Sequence, residues 1–403
     1  MTDPNPRHDY SGRRALVVGG SIGGLTTALL LRRLGFDVSV FERTPGGLDG
    51  RGGGIVLQPD TLRWFHECSD QQPEQVSTST HYVQYLGVGN DVVHREEAPW
   101  SYTSWGTFYR ALLADFGTRD YHLGEYAAGF DEDEDGVEVR FVSGRTERAD
   151  LVVFADGISS PSRTRISPGT TLDYAGYVGW RGTVPERELS PATFELLHDS
   201  ISYSVAPHTH ITLYPIPGPD GGLAVGERLL NYVWYRNVAA GHELEELMTD
   251  KRGFASPVSV HPGQVQDRFA EEMRRTAAEV LAPAAAEVVL RTEQPYLQAV
   301  RDAGAHRMAL GRVALVGDAA SAARPHAAAG TAKAAANAWA LHDALAEGDG
   351  DVADALAKWE PGQLELGQRL LHRVQEMGAR SQVSCTWTPG DPDLRFGLYG
   401  PGH

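Results

Sequence analysis

Two short stretches of the chain bring chemistry-bearing residues together. In LVGDAASAARPHAAAG, residues 315–330, an apolar strand runs into Gly317 and Asp318, and Arg324, Pro325 and His326 then interrupt a run of alanines before Gly330 and a helix. A carboxylate at the end of a buried strand needs polar ligand groups or a turn to cap, because an unpaired charge does not stay in a core. An imidazole titrates near neutral pH and serves as a base, a hydrogen-bonding anchor or a structural tie. The second stretch, GGSIGG, nearly fits the GxGxxG turn that lets a backbone approach a pyrophosphate. Gly19 and Gly24 hold the outer positions, and Ser21 stands where the middle glycine is usual.

The elements around these residues give them their meaning. Ala15 to Arg43 reads as an apolar strand, the Gly-rich turn, a helix and a second strand ending in Glu42, where a carboxylate accepts from ribose hydroxyls. This βαβ pattern predicts a dinucleotide, but the turn alone does not separate NAD from FAD. Two later aspartates favour FAD: Asp156 in FADGISSPSR, which also holds Arg163, and Asp318, each beside a glycine at the end of an apolar strand. Asp318 is placed to accept from a ribityl hydroxyl, and a helix opening at Gly330 offers partial positive charge to the pyrimidine end of a flavin. The competing reading is that Asp318 only caps the next turn.

From Val137 the pattern changes to strand alternation, and Tyr174 to about Val238 is rich in aromatic strands such as GYVGWRGTV, ISYSVAPHTHITLYPIPG and LNYVWYRNV. These predict an antiparallel sheet inserted into the nucleotide-binding lobe. The expected fold is α/β: a discontinuous Rossmann-like FAD-binding lobe (residues 1–80, 100–170 and 300–375), a substrate-binding β-sheet domain (81–99 and 171–299) and an extended C-terminal tail (376–403). A chain of 403 residues suits two lobes, since single cores stop growing at about 250–300 residues. The formal charge of −17 repels phosphate backbones, so nucleic acid is not an expected partner. No apolar run predicts a membrane span or a signal peptide, and the two cysteines show no pairing pattern, so a cytoplasmic location is expected. The histidines form no metal-binding spacing.

Taken together, GGSIGG…FER, FADG…SR and LVGDAA…P…G resemble the single-component FAD-dependent aromatic hydroxylases of the para-hydroxybenzoate hydroxylase class, over nearly the whole chain. GRGGGIVLQP, YAGYVGWRG, YPIPG, VWYRNVAAG, ELMTDKRG and RPHAAAG are similar to the 2,6-dihydroxypyridine 3-monooxygenase subgroup. The resemblance implies non-covalent FAD, transient NADH or NADPH, molecular oxygen and a small aromatic substrate. It implies that Gly19, Ser21 and Gly24 face the pyrophosphate, Glu42 and Arg43 the adenosine, and Arg110 the FAD backbone. Asp156 and Arg163 would serve both FAD and the nicotinamide, and Asp318 and Gly330 would face the flavin. Gln58 either reaches the flavin or substrate, or is a turn residue.

The chemistry of such a site is electrophilic oxygen transfer from a flavin C4a-hydroperoxide to an electron-rich ring, which a nearby base or hydrogen-bonding group assists and a dry pocket protects. His326 is the candidate for that group, as base or anchor. Tyr214, Trp180, Arg181, Trp234 and Pro325 are the candidate substrate-lining residues, because planar rings stack on aromatic faces. The expected activity is hydroxylation of a hydroxypyridine-like ring. The alternatives are a phenolic, purine or natural-product substrate, or an FAD-binding protein without hydroxylation chemistry. The extended tail is compatible with a homodimer.

Overall fold

A computed structural model describes residues 8–48 and 53–403. The centre of the glycine-rich loop, residues 49–52, therefore lies outside the described residues. The strand Arg14–Val18 is the middle of a six-stranded sheet. It pairs in parallel with Asp37–Glu42 on one side and Leu151–Phe154 on the other, and Val313–Leu315 adds beyond the latter. These strands read as continuous apolar runs because helices cover the sheet. Val18, Phe154 and Leu315 are register partners. The turns at Gly19, Ala155 and Val316 consequently leave the sheet side by side, at the carboxyl edge where open α/β sheets bind ligands. The helices Ile22–Arg33 and Gly330–Glu347 pack on one another so closely that a Cβ on Gly23 would sit 3.1 Å from the Ala334 methyl.

The second sheet runs, in spatial order, Ser259–Val260, Tyr296–Gly304, Asp173–Pro185, Leu229–Asn237, Thr209–Ile216, Ser200–Ala206, Thr78–Leu86, Val92–Ser104 and Gly54–Leu57. Its pairs are antiparallel except that Ser200–Ala206 runs parallel to Thr78–Leu86. The strand period of two divides its residues between two faces. Trp180 and Trp234 are opposite partners on one face and pack, fully buried, in a core with Met273 and Val288 of the helices Asp267–Val280 and Pro283–Arg291. Their neighbours Arg181, Val233 and Tyr235 fall on the other face, toward the loop that carries His326.

The boundaries expected from sequence shift in two places. Gly54–Leu57 and Ser101–Ser104 belong by hydrogen bonding to the large sheet, not to the nucleotide lobe. A four-residue GIVL strand beside glycines shows no alternation that could have assigned it. At the other end, the helix Val352–Gln382 runs past residue 376, and the chain after it is docked, not an arm. Trp387, Leu394, Phe396 and Leu398 are buried, and Gly397 donates to the Ala327 carbonyl at 3.1 Å. Four large apolar side chains in so short a segment bury themselves on their own domain, which removes the tail as an argument for a dimer.

Candidate active site

The first of two neighbouring cavities, of about 180 Å3, is lined by Val18, Gly19, Ser21, Glu42, Arg43 and Asp156 among others. Gly19 has φ +110°, and a Cβ there would lie 2.2 Å from the Ala155 carbonyl oxygen. A Cβ on Gly24 would lie 1.8 Å from the Gly19 oxygen. The glycines thus close the turn onto the third strand and onto the helix start. Ser21 is the N-cap of Ile22–Arg33, yet its hydroxyl makes no capping bond. Glu42 is buried, its Oε2 accepting from the Gly20 amide and its Oε1 from the Thr44 amide, each at 2.9 Å. Arg43 is exposed at the rim. Asp156 accepts from the Ser162 hydroxyl at 3.1 Å through Oδ2, while its buried Oδ1 has no partner among the described residues. Burial raises the Asp156 pKa above the ordinary carboxylate value.

Arg163 is buried and lines neither cavity. Its guanidinium donates to the carbonyls of Asp318 and Ala319, both at 3.1 Å, and of Ile158 at 2.6 Å. It ties together the two strand-end turns that carry Asp156 and Asp318. Asp156 and Gly157 line the first cavity and Ile158 the second, so the two spaces flank one turn.

The second cavity, of about 300 Å3, lies between Asp318 to Thr331 and the free face of the large sheet. Asp318 meets the Nζ of Lys333 at 3.2 Å, and Lys333 is buried and also donates to the Ser321 carbonyl. The Asp318 side chain is still 52% exposed, so it retains accepting capacity toward the cavity. Gly330 opens Gly330–Glu347 with Ala329 as N-cap and no side-chain cap, which leaves the first amides of the helix unpaired with any side chain. Gln58 sits beneath this loop and donates through Nε2 to the carbonyls of Ala327 and Ala328, the latter in the left-handed region at φ +51°. It holds the backbone beside His326 and does not line either cavity.

His326, Pro325, Tyr214 and Arg181 all line the second cavity. His326 is 4% exposed, and its Nε2 lies 2.7 Å from the Tyr177 hydroxyl. Burial, with smaller contributions from His210 and Arg324, holds its pKa well below the usual value, so the ring is neutral. Tyr214 stacks on Tyr102 with ring centres 4.8 Å apart. Trp180 and Trp234 do not reach the cavity, because strand alternation turns them into the core on the opposite face. Arg110, on the helix Trp105–Phe116, is exposed, donates to the Thr107 hydroxyl at 3.3 Å and lines neither cavity.

Sequence reasoning missed His210, Tyr203, Tyr235, Trp387 and Phe396, which complete the aromatic wall. The ring of Trp387 stacks on His210 at 4.7 Å, and Tyr235 lies 4.7 Å from His326. His210 Nδ1 is 2.5 Å from the Ser381 hydroxyl, and burial pushes its pKa down to about 3. His210, Thr212 and Tyr214 share one face by period two, and that spacing is the signal that marks His210 once Tyr214 is placed in the cavity. Nothing local marks Trp387, which arrives from the end of the chain.

These residues fit a flavin dinucleotide: a glycine cradle too tight for side chains, an unpartnered buried Asp156 oxygen, a half-open Asp318 carboxylate and an uncapped helix start facing a flat-walled cavity. The chain matches a model of NAD(P)-binding Rossmann-like domains over residues 17–72 and one described as FAD binding domain-like over residues 174–302. It belongs to the FAD-dependent aromatic monooxygenases, a family of flavin-dependent enzymes. It is 37% identical over 386 residues to 2,6-dihydroxypyridine 3-monooxygenase from Paenarthrobacter nicotinovorans, covering 96% of each chain. The solved structure of 2,6-dihydroxypyridine-3-hydroxylase from Arthrobacter nicotinovorans superposes with a TM-score of 0.90 at 36% identity, covering 96% of this chain and 97% of that one. A more distant relative, 3-amino-4-hydroxybenzoate 2-monooxygenase from Streptomyces platensis, is 29% identical over 91% of this chain and 87% of its own. Among the described residues, no helix is long and apolar enough to cross a membrane.

Proposed function

We propose that this enzyme hydroxylates a small hydroxypyridine-type ring with NADH or NADPH as reductant. The observation that carries the reading is the second cavity itself. Its walls are aromatic and aliphatic, and two buried neutral imidazoles, His326 and His210, are among its polar groups. A flat heteroaromatic ring fits such walls, and neutral imidazoles hydrogen-bond its oxygen or nitrogen atoms without demanding a counter-charge. Bound FAD supplies activation of O2 and delivery of one oxygen atom to the ring. Gly19, Ser21 and Gly24 hold its pyrophosphate, Glu42 and Arg43 its adenosine, Asp156 the chain between its halves and Asp318 the ribityl. The Gly330 helix start offers amides to the flavin ring. Pro325, Tyr214 and Arg181 bound the space for substrate, and His326 holds the ring oxygen. The docked tail, through Trp387 and Phe396, keeps bulk water from this space.

A hydroxybenzoate-type acid is the second reading, favoured by Arg181, whose buried Nε has no acceptor among the described residues. The test is to follow NADH and NADPH oxidation and oxygen uptake by the flavin-loaded protein with 2,6-dihydroxypyridine, 6-hydroxynicotinate and amino- or hydroxybenzoates, identifying products by mass. A hydroxylated pyridine formed with stimulated nicotinamide oxidation is the expected result. Stimulation by benzoates alone would favour the second reading, and stimulation by none of them would remove the proposed activity.

A further inference from the structure

We infer that Tyr177 is a positioning residue that fixes His326 in its Nδ1–H tautomer, so that His326 meets the substrate as a hydrogen-bond donor and not as a base. The inference rests on the proposed placing of the ring in the second cavity, and it settles what His326 does there. The argument begins at a guanidinium, which only donates. Arg324 is locked by Asp302 through three hydrogen bonds of 2.7–3.1 Å, and Gln375 donates to the same carboxylate at 3.2 Å. From that fixed position Arg324 Nη1 donates to the Tyr177 hydroxyl at 3.4 Å. The hydroxyl has one hydrogen of its own, and His326 Nε2, at 2.7 Å, is the acceptor available to it. Were Nε2 to carry the proton instead, two donors would converge on the hydroxyl and its buried hydrogen would have no acceptor among the described residues, an arrangement that costs desolvation without return.

Nε2 therefore accepts, and in a neutral imidazole the proton then sits on Nδ1. Burial keeps the Tyr177 phenol protonated and the His326 ring neutral, as this arrangement requires. Nδ1 is buried and has no partner among the described residues, so its hydrogen is the one left for a ligand. A helix glycine completes the device. A Cβ on Gly378 would lie 2.4 Å from the Tyr177 hydroxyl, 2.9 Å from Arg324 Nη1 and 3.0 Å from His326 Nε2, so only glycine lets the three groups meet against the helix. The consequence for specificity is direct. The site selects a ring that presents an oxygen acceptor, either a carbonyl of the pyridone form or an already ionised ring oxygen, and His326 is not the group that removes a substrate proton.

The test is a long-range 1H–15N spectrum of the FAD-loaded protein carrying 15N-histidine, with the His326 signals identified by their loss in His326→Gln. The expected result is a protonated-type Nδ1 and an unprotonated-type Nε2 in the native chain. Tyr177→Phe should lose this preference and show mixed tautomers. Gly378→Ala, which keeps a good helix residue while displacing the hydroxyl, should do the same. A native Nε2–H or doubly protonated ring would overturn the inference, as would a tautomer unchanged in both variants. The spectrum is read without substrate, so failure of every ring compound to stimulate turnover would sink the proposed activity and leave this result standing.

Discussion

Around Gly19 the chain brings its own backbone to the ligand, whereas around His326 it brings side chains from segments as distant as Ile55 and Phe396. The cradle is a local object: one turn, one helix start and two strand ends set level by parallel register. The ring cavity is a convergence of sheet face, loop and chain terminus. The first tolerates almost no added atoms but needs few particular side chains. The second depends on which side chains arrive and on what holds them.

Gly24→Ala tests the first property and should have the largest effect. Its methyl group would meet the Gly19 oxygen at 1.8 Å, backbone against backbone, with no flexible side chain to yield. Overpacking of this kind costs about 1–3 kcal/mol, and here it deforms the turn that faces the pyrophosphate. FAD affinity should fall about 10- to 100-fold, measured by fluorescence titration of the flavin-stripped protein. Unchanged affinity would show that the cradle does not hold the dinucleotide.

His326→Ala tests the second property. FAD should remain bound, because the cradle and Asp318 are untouched, while hydroxylation falls about 100-fold, the scale of losing the contact that aligns the ring for oxygen transfer. Rapid reaction of reduced enzyme with oxygen, followed by product analysis, separates lost hydroxylation from lost reduction. Normal product yield would remove His326 from the site.

The difference between the regions also explains what the sequence disclosed. Strand, glycines, helix and Glu42 lie within thirty residues, so their spacing alone drew the cradle. Asp318 and His326 were legible because a carboxylate and an imidazole stand out in an alanine-rich loop. The far wall was not legible in the same way. Trp180 and Trp234 have the right chemistry, but the face they occupy is decided by register against neighbouring strands, and a one-residue step turns a side chain from cavity to core. Trp387 reaches the cavity only because the helix Val352–Gln382 carries the chain end back across the molecule. Arg163 carries charge near both aspartates, yet its geometry shows it tying carbonyls together.

The ring cavity should also respond to pH through its two buried imidazoles. His210 and His326 are buried neutral, with folded pKa values pushed to about 3 and well below 6.5. In the unfolded chain each takes up a proton near pH 6.5, and in the folded chain neither does. Their contribution to stability is therefore complete above pH 6.5 and is lost as pH falls toward the folded values, by about 1.4 kcal/mol per pH unit for each ring. The thermal midpoint should drop between pH 7.5 and 5.5, and His326→Gln should flatten that drop. An identical slope in the variant would mean that His326 is protonated in the folded protein.

The smallest effect on activity belongs to Trp234→Phe, and it separates the two faces of the large sheet most sharply. Trp234 is fully buried opposite Trp180, and its indole N–H donates to the Thr209 hydroxyl at 2.8 Å. Removing the larger ring leaves a void and takes one donor from the Thr209 hydroxyl, which keeps its own bond to the Tyr235 carbonyl at 2.6 Å, costing about 2–3 kcal/mol of stability. The next residue along, Tyr235, faces the cavity from the same strand. If alternation alone assigns these roles, Trp234→Phe lowers the melting temperature with KM and kcat within about twofold of the native enzyme, since the Trp234 ring packs in the core on the face away from the cavity. A KM that rises as the protein softens would mean that the core face and the cavity face are coupled through the strand, and that the aromatic wall owes its shape to Trp234 after all.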